Sequence, residues 1–261
     1  MEAIIVFIFG LIFGSFLNVV ILRFDDWLSI LKGRSQCPKC KTNLGWYDLV
    51  PLVSYITLRG KCRYCTKPIS WQYPVVEFAT AALLTSGYAT ILANPVLPLW
   101  QAWVEVALFA LILGVILVIF FHDLYEMMIP EVLSYILVIA ALAFSLIYYN
   151  DALGTLYAAL TGFLPIALLV FAGGGKWMGE GDIKLSAGLA LLVGWPSAVA
   201  YLAFSFIGGG LFGVAAIAAG RAKLKSAIPF APFLILAAFV TFFYGPRIVG
   251  WYLGILGYGY Y

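Results

Sequence analysis

Apolar residues run through this chain in long blocks, separated by short polar or glycine- and proline-bearing stretches, rather than alternating with polar ones. Eight blocks read as membrane-crossing helices: Ala3–Leu22, Pro74–Ala93, Trp103–Phe121, Val132–Tyr149, Ala152–Ala172, Ile183–Gly194, Ser197–Gly220 and Pro229–Gly245. A bilayer core of roughly 30 Å asks for about 20 apolar residues in a helix. The sixth block is short and leans on the Trp195-Pro196 turn. The tail from Arg247 to Tyr261 is apolar but too short to span, and its Trp251, Tyr252, Tyr258, Tyr260 and Tyr261 read as an interfacial belt. One long polar stretch remains, Arg23 to Tyr73. The pattern predicts an all-α polytopic membrane protein of about eight transmembrane helices. Residues 1–22 are the first helix, 23–73 a loop domain, and 74–261 the membrane-embedded core.

Composition excludes the soluble alternative. Of 261 residues, 64% are hydrophobic and only 10% are charged, more apolar surface than a soluble domain of this length hides. Met1-Glu2 carries no basic run and no small-residue cleavage site follows, so the first block reads as a retained span. No Walker-type phosphate loop and no nucleic-acid module is present; the net charge of +3 is local to loops, where anionic lipid accounts for it.

Charge also orients the chain. Nine of the fifteen Lys and Arg lie between the first two blocks: Arg23, Lys32, Arg34, Lys39, Lys41, Arg59, Lys61, Arg63 and Lys67. Short basic loops stay in the cytoplasm, so the N-terminus is expected outside. Alternating spans then put Lys176, Lys184 and the Arg221-Ala222-Lys223-Leu224-Lys225 loop inside as well, leaving Arg247 outside.

Two acids stand at span ends on that same side. Asp123 closes the third block, and Asp182 opens the sixth within Gly179-Glu180-Gly181-Asp182-Ile183-Lys184. A carboxylate in hydrocarbon costs roughly 2.5–3.5 kcal/mol at a helix centre, and less near the interface. Two carboxylates about 5 Å apart repel by roughly 3 kcal/mol at an effective dielectric near 20. One therefore keeps a proton while the other stays ionised, the working arrangement of an aspartic protease dyad. Neighbouring glycines let backbone and substrate approach closely. The plainer reading, that each acid caps a helix or pairs with a Lys, is serious for Asp182, which sits where a helix dipole favours it. It is weaker for Asp123, at a helix C-terminus.

The four cysteines form Cys37-Pro38-Lys39-Cys40 and Cys62-Arg63-Tyr64-Cys65, with 21 residues between the pairs. Two CxxC turns at this separation suit a structural zinc; a reducing cytoplasm argues against disulfides. A loop with few aliphatic residues gains most from such a metal. Gly10-x3-Gly14 and Gly209-x3-Gly213 read as helix-packing motifs, and Asn18 as a helix–helix hydrogen bond. Lone His122 reads as a polar interfacial residue. Glu105, near an outer end, is expected to snorkel, whereas Glu77 is expected to face the interior. No internal repeat stands out.

In order along nearly the whole chain, these residues resemble the bacterial type IV prepilin peptidases, aspartic proteases of the Gly-x-Gly-Asp type. The matching segments begin with Gly14-Ser15-Phe16-Leu17-Asn18-Val19-Val20 and the two CxxC pairs. Trp46-Tyr47-Asp48-Leu49-Val50-Pro51-Leu52-Val53-Ser54-Tyr55, Leu58-Arg59-Gly60-Lys61-Cys62, Ile69-Ser70 and Tyr73-Pro74-Val75-Val76-Glu77 follow. Asp123 with Ile129-Pro130, the Gly-x-Gly-Asp segment and Pro229-Phe230-Ala231-Pro232-Phe233 complete them. The resemblance implies that Asp123 and Asp182 are catalytic, with Gly179 and Gly181 in the signature beside them; Lys184, two residues past Asp182, and the inward-facing Glu77 read as supporting or substrate-positioning residues. Family enzymes cut a short basic leader from prepilins and pseudopilins on the cytoplasmic face of the bacterial inner membrane, after a glycine. They then methylate the new N-terminal residue with S-adenosylmethionine, an activity associated with the N-terminal loop region. Two departures bear on substrate preference: Glu131 follows Pro130 where many members have Asp, and Glu180 fills a position often small.

Two other classes stay open from sequence. A presenilin-like protease would cut transmembrane peptides deeper in the bilayer. A proton-coupled transporter would use the acids as a relay, but transporters place such acids near the midplane and often carry repeats.

Overall fold

The computed structural model describes residues 1–24, 26, 33–93, 98–221, 223, 226 and 228–257. Lys32, Lys225, Tyr258, Tyr260 and Tyr261, assigned above to the basic loops and the aromatic belt, lie outside the described residues. The chain divides into two compact units, Met1–Leu97 and Pro98–Tyr261.

In the first unit, α1 (Glu2–Leu22) packs along α3 (Gln72–Leu92). Small residues permit it: a Cβ at Gly10 would lie 2.6 Å from Ala81 Cα, and one at Gly14 would lie 2.8 Å from Glu77 Cα. Asn18 does bridge the helices, its Nδ2 donating to the Tyr73 carbonyl at 3.2 Å. At the other end the Tyr88 hydroxyl donates to Glu2 Oε2 at 2.6 Å. The connecting loop holds a single 3-10 turn (Trp46–Asp48) and a short α2 (Val53–Thr57). Glu77 is buried, as expected, and accepts the Leu52 N–H at 2.8 Å, tying the loop to α3.

The second unit comprises α4 (Leu99–Glu126), α5 (Glu131–Tyr148), α6 (Ala152–Ala172), α7 (Glu180–Val193), α8 (Ser197–Ala218) and α9 (Ala231–Ile255). Its centre is α7, which packs against α5, α6, α8 and α9. Among the described residues seven helices are long and apolar enough to cross a membrane, and α7 is not one of them. Its 14 residues reach about 21 Å at 1.5 Å per residue. The sixth block is therefore a short helix enclosed by protein, shorter than the seven candidate spans around it. Enclosure explains its composition, since Ser186 and Gly188 face helices rather than lipid.

Two further expectations are corrected. Glu105 does not snorkel: α4 begins at Leu99, a full turn before the expected Trp103, and its spiral turns Glu105 wholly inward. Gln101 Nε2 donates to Glu105 Oε1 at 3.1 Å, while Oε2 is buried with no partner among the described residues. The last helix does not stop at Gly245 but continues through Pro246 to Ile255, absorbing Trp251 and Tyr252. A proline inside a membrane helix is tolerated because neighbouring groups re-satisfy the freed carbonyl.

Candidate active site and cysteine cluster

Asp123 lies in the last turn of α4 and Asp182 in the first turn of α7. Both are largely buried, at 5% and 8% exposure. They line one cavity of about 1060 Å³. Three connections wall it: Met127 to Ile129 after α4, Gly175 to Met178 before α7, and Ile228 to Phe230 before α9. All three connections thus gather at the same end of this unit, where an alternating set of spans brings them.

Each acid meets the start of a helix. Asp182 is the third residue of α7 and its Oδ2 accepts the Gly179 N–H at 3.1 Å, so it does cap its own helix. Asp123 faces a different one. The Ala231 N–H, in the first turn of α9, faces its carboxylate. A helix N-terminus carries a partial positive charge and unpaired N–H groups. What looked from sequence like a carboxylate stranded at a helix C-terminus is compensated by the N-terminus of another helix. Asp123 Oδ2 remains buried with no partner among the described residues, an acceptor aimed at no protein donor.

Of the two signature glycines, Gly181 is sterically required. A Cβ there would lie 2.8 Å from Ile129 Cβ, so its absence lets the start of α7 close against the α4–α5 connection. Gly179 has room, its Cβ position falling 3.6 Å from Asp182 Oδ2; there a side chain would intrude on the acid rather than on the fold. His122 Nδ1 donates to the Met128 carbonyl at 2.8 Å, folding the connection that forms one wall. Lys184 does not line the cavity. Its Nζ pairs with Glu131 Oε1 at 2.9 Å and sits 4.6 Å over the Tyr135 ring. Glu77 belongs to the first unit, as described. The Met and Trp177 wall and the α9 N-terminus were not singled out as site residues from sequence. The Pro229-to-Phe233 segment was their one visible signal.

The cysteine loop is built from two equivalent turns, a short repeat the sequence reading did not register. Cys37 N–H donates to the Thr42 carbonyl at 3.0 Å and Lys41 N–H to the Cys37 carbonyl at 2.8 Å. The second turn repeats this at 2.9 Å for both, from Cys62 to Lys67 and from Thr66 to Cys62. Lys41 and Thr66 take the same left-handed backbone, φ 58° and 57°. The four sulfurs lie within 4.8 Å of one another, with Cys37 and Cys65 Sγ 3.9 Å apart. Zinc–sulfur bonds of about 2.3 Å in a tetrahedron need sulfurs about 3.8 Å apart, whereas a disulfide needs about 2.05 Å. The donor set fits a tetrahedral metal. Proton affinities say the same: the Thr42 hydroxyl and backbone N–H pull Cys40 down to about 6. Cys65 goes the other way, to about 11; the Lys67 N–H lowers it, but burial and three sulfur neighbours outweigh that. Four sulfurs this close cannot all ionise without a cation among them.

Asp48 braces the second turn. It accepts Arg63 Nε at 2.8 Å, the Gly45 N–H at 3.1 Å and the Tyr64 hydroxyl at 3.3 Å, while Arg63 stacks 5.0 Å over Tyr47. Burial opposes its charge, but Arg63 with the Gly45 and Tyr64 donors wins and holds the carboxyl below its usual value.

Fold and cavity together define a polytopic helical membrane protein with two buried acids at helix ends, lining one cavity at one end of its second unit. Comparison gives the family. A family model described as Bacterial Peptidase A24 N-terminal domain matches residues 8–91, and one described as Type IV leader peptidase family matches residues 110–214. The prepilin leader peptidase/N-methyltransferase of Bacillus subtilis (strain 168) is 33% identical, the match covering 95% of this chain and 97% of that protein. Proteins of the same name from Aeromonas hydrophila and Aeromonas salmonicida (strain A449) are 34% and 32% identical. Those matches cover 95% and 97% of this chain, and 93% and 94% of the relatives. No solved structure matches. The chain belongs to the type IV leader peptidase family.

Proposed function

We propose that this protein is a prepilin peptidase that removes the basic leader from type IV prepilins and pseudopilins and then methylates the new N-terminus. The observation that carries the peptidase reading is the meeting of Asp123 and Asp182 in one cavity at one end of the helices. The substrate's apolar segment lies in the bilayer beside the helices, its scissile bond at their ends. The ionised aspartate takes a proton from water as the oxygen attacks the amide carbon. The protonated aspartate gives its proton to the carbonyl oxygen. When the tetrahedral adduct collapses, the leaving nitrogen is protonated, the C–N bond breaks and the pair regains one shared proton. Helix N-termini at both acids keep the ionised partner tolerable in a largely buried position.

The cavity end is taken as cytoplasmic, on the strength of the basic loops, which puts the acids where a basic leader resides in the bacterial inner membrane. Gly179 and Gly181 admit substrate backbone beside Asp182. Glu77 supports the loop through Leu52. Cys37, Cys40, Cys62 and Cys65 would hold a zinc, which closes the loop structurally and leaves no open coordination position. S-adenosylmethionine would be the methyl donor: the deprotonated α-amino nitrogen would take the methyl group as the sulfonium carbon–sulfur bond breaks, leaving S-adenosylhomocysteine.

The test is the purified protein incubated with a prepilin, with and without S-adenosylmethionine, reading product mass. Loss of the leader, and one added methyl group only with the donor, is the expected result. An uncut prepilin, or a cut within its apolar segment, overturns the reading.

A further inference from the structure

We infer that α5 is a splint that sets the axial position of α7, making Tyr149, with the Lys184–Glu131 pair, positioning residues for Asp182. The inference rests on the peptidase reading only in taking Asp182 as catalytic.

The need for a splint follows from the length of α7. A helix leaves its last four carbonyls without internal donors, and inside a membrane protein no bulk water replaces them. Leu191, Leu192 and Val193 end α7 in the interior, at 3%, 0% and 4% exposure. Gly194 turns the chain away at φ 76°, its N–H bonding the Ala190 carbonyl at 2.9 Å. The Tyr149 hydroxyl then reaches across from the end of α5. It donates to the Leu192 and Val193 carbonyls at 2.9 Å and 2.6 Å. That single phenol closes the buried end of the helix that carries Asp182 at its other end.

The remaining contacts run the length of the pair. Glu131, the first residue of α5, meets Lys184 in the first turns of α7, and Tyr135 lies under the same ammonium. Midway, Gly188 allows closest approach, since a Cβ there would lie 2.8 Å from Leu137 Cγ. Start therefore meets start and end meets end: α5 and α7 run parallel, pinned at top, middle and bottom. Glu131 is 73% exposed at its side chain, so the ion pair adds little stability; its worth is geometric. Sliding α7 along α5 breaks all three contacts at once and carries Asp182 away from Asp123.

Tyr149→Phe removes only the hydroxyl, keeping the ring. A misplaced catalytic group costs rate steeply even for small displacements. For prepilin cleavage kcat should fall about tenfold, with KM unchanged. The two limbs of the pH–rate profile should draw together, because separated carboxyls share a proton less strongly. Glu131→Gln should narrow the profile in the same sense, and the reciprocal exchange Glu131→Lys with Lys184→Glu should restore it. A merely structural role lowers the yield of folded protein but leaves kcat per folded molecule and the profile of wild type; that result overturns the inference. Carbodiimide labelling of Asp123 and Asp182 across pH reads the same proton sharing without turnover. Should the wild type cut no prepilin, the peptidase reading fails, while labelling midpoints that shift in Tyr149→Phe uphold the splint and unshifted ones overturn it.

Discussion

The cysteine loop and the aspartate cavity each assemble a site, by opposite means. In the loop, two near-identical turns present sulfurs whose mutual repulsion calls for a metal, and Asp48 braces the result through Arg63, Gly45 and Tyr64. The geometry is local and ligand-demanding. In the cavity nothing local joins Asp123 to Asp182. Their meeting depends on where α4 ends, on how α7 is seated and on α9 offering its first N–H groups. A site of the first kind survives changes in helix packing and dies with its ligand; a site of the second kind does the reverse.

The sharpest way to test that contrast is at the acids. Asp123→Asn or Asp182→Asn should each lower prepilin cleavage by about 10³-fold or more, the scale of lost acid–base catalysis, with the protein still inserted and the loop still binding metal. Normal processing by either variant would remove the pair from the chemistry. The reciprocal change is Cys37→Ser with Cys40→Ser. Metal content measured on purified protein should fall to background, and methylation should suffer at least as much as cleavage. If native protein carries no zinc, the four-thiolate assignment is wrong.

Gly181→Ala probes the packing side alone. Its new methyl meets Ile129, and overpacking of this kind costs about 1–3 kcal/mol, so both thermal stability and cleavage should drop. Gly179→Ala, with space at its Cβ position, should leave the melting temperature unchanged. Equal destabilisation by the two would show that Ile129 does not press on α7.

How much of this was legible in the sequence follows the same division. CxxC turns, the Gly-x-Gly-Asp segment and the apolar blocks are short-range patterns, and they located the loop, the acids and the helices. The repeat in the loop was also there to be read, but Lys41 and Thr66 hold left-handed backbone without being glycine, so the usual signal was missing. The compensation of Asp123 by Ala231 joins residues far apart in sequence, and no periodicity announces it. Glu105 failed for a related reason: an acid near a span end reads as surface-seeking until the helix is seen to begin a turn earlier. The shortness of α7 was visible, but only the surrounding helices show why a short helix is stable there.

Asp48→Asn is the mildest change and separates bracing from metal binding. The amide keeps its size and one carbonyl acceptor but gives up the charge that holds Arg63, so a loss of about 1 kcal/mol is expected in the loop. The metal should stay bound, because the four sulfurs are positioned by their own backbone turns and not by Asp48. Arg63 should become mobile, and limited proteolysis should cut faster between Cys62 and Cys65 at unchanged zinc content. The effect has a defined sign with pH in the native protein. The Asp48 carboxyl is held below its ordinary value, so its bracing is fully present above the unfolded value and is lost as pH falls through the lower, folded one. Native loop protection should therefore decline on acidification, and the Asn variant should lack that component of the decline. Identical acid profiles for the two proteins would mean that the loop is held by its sulfurs alone.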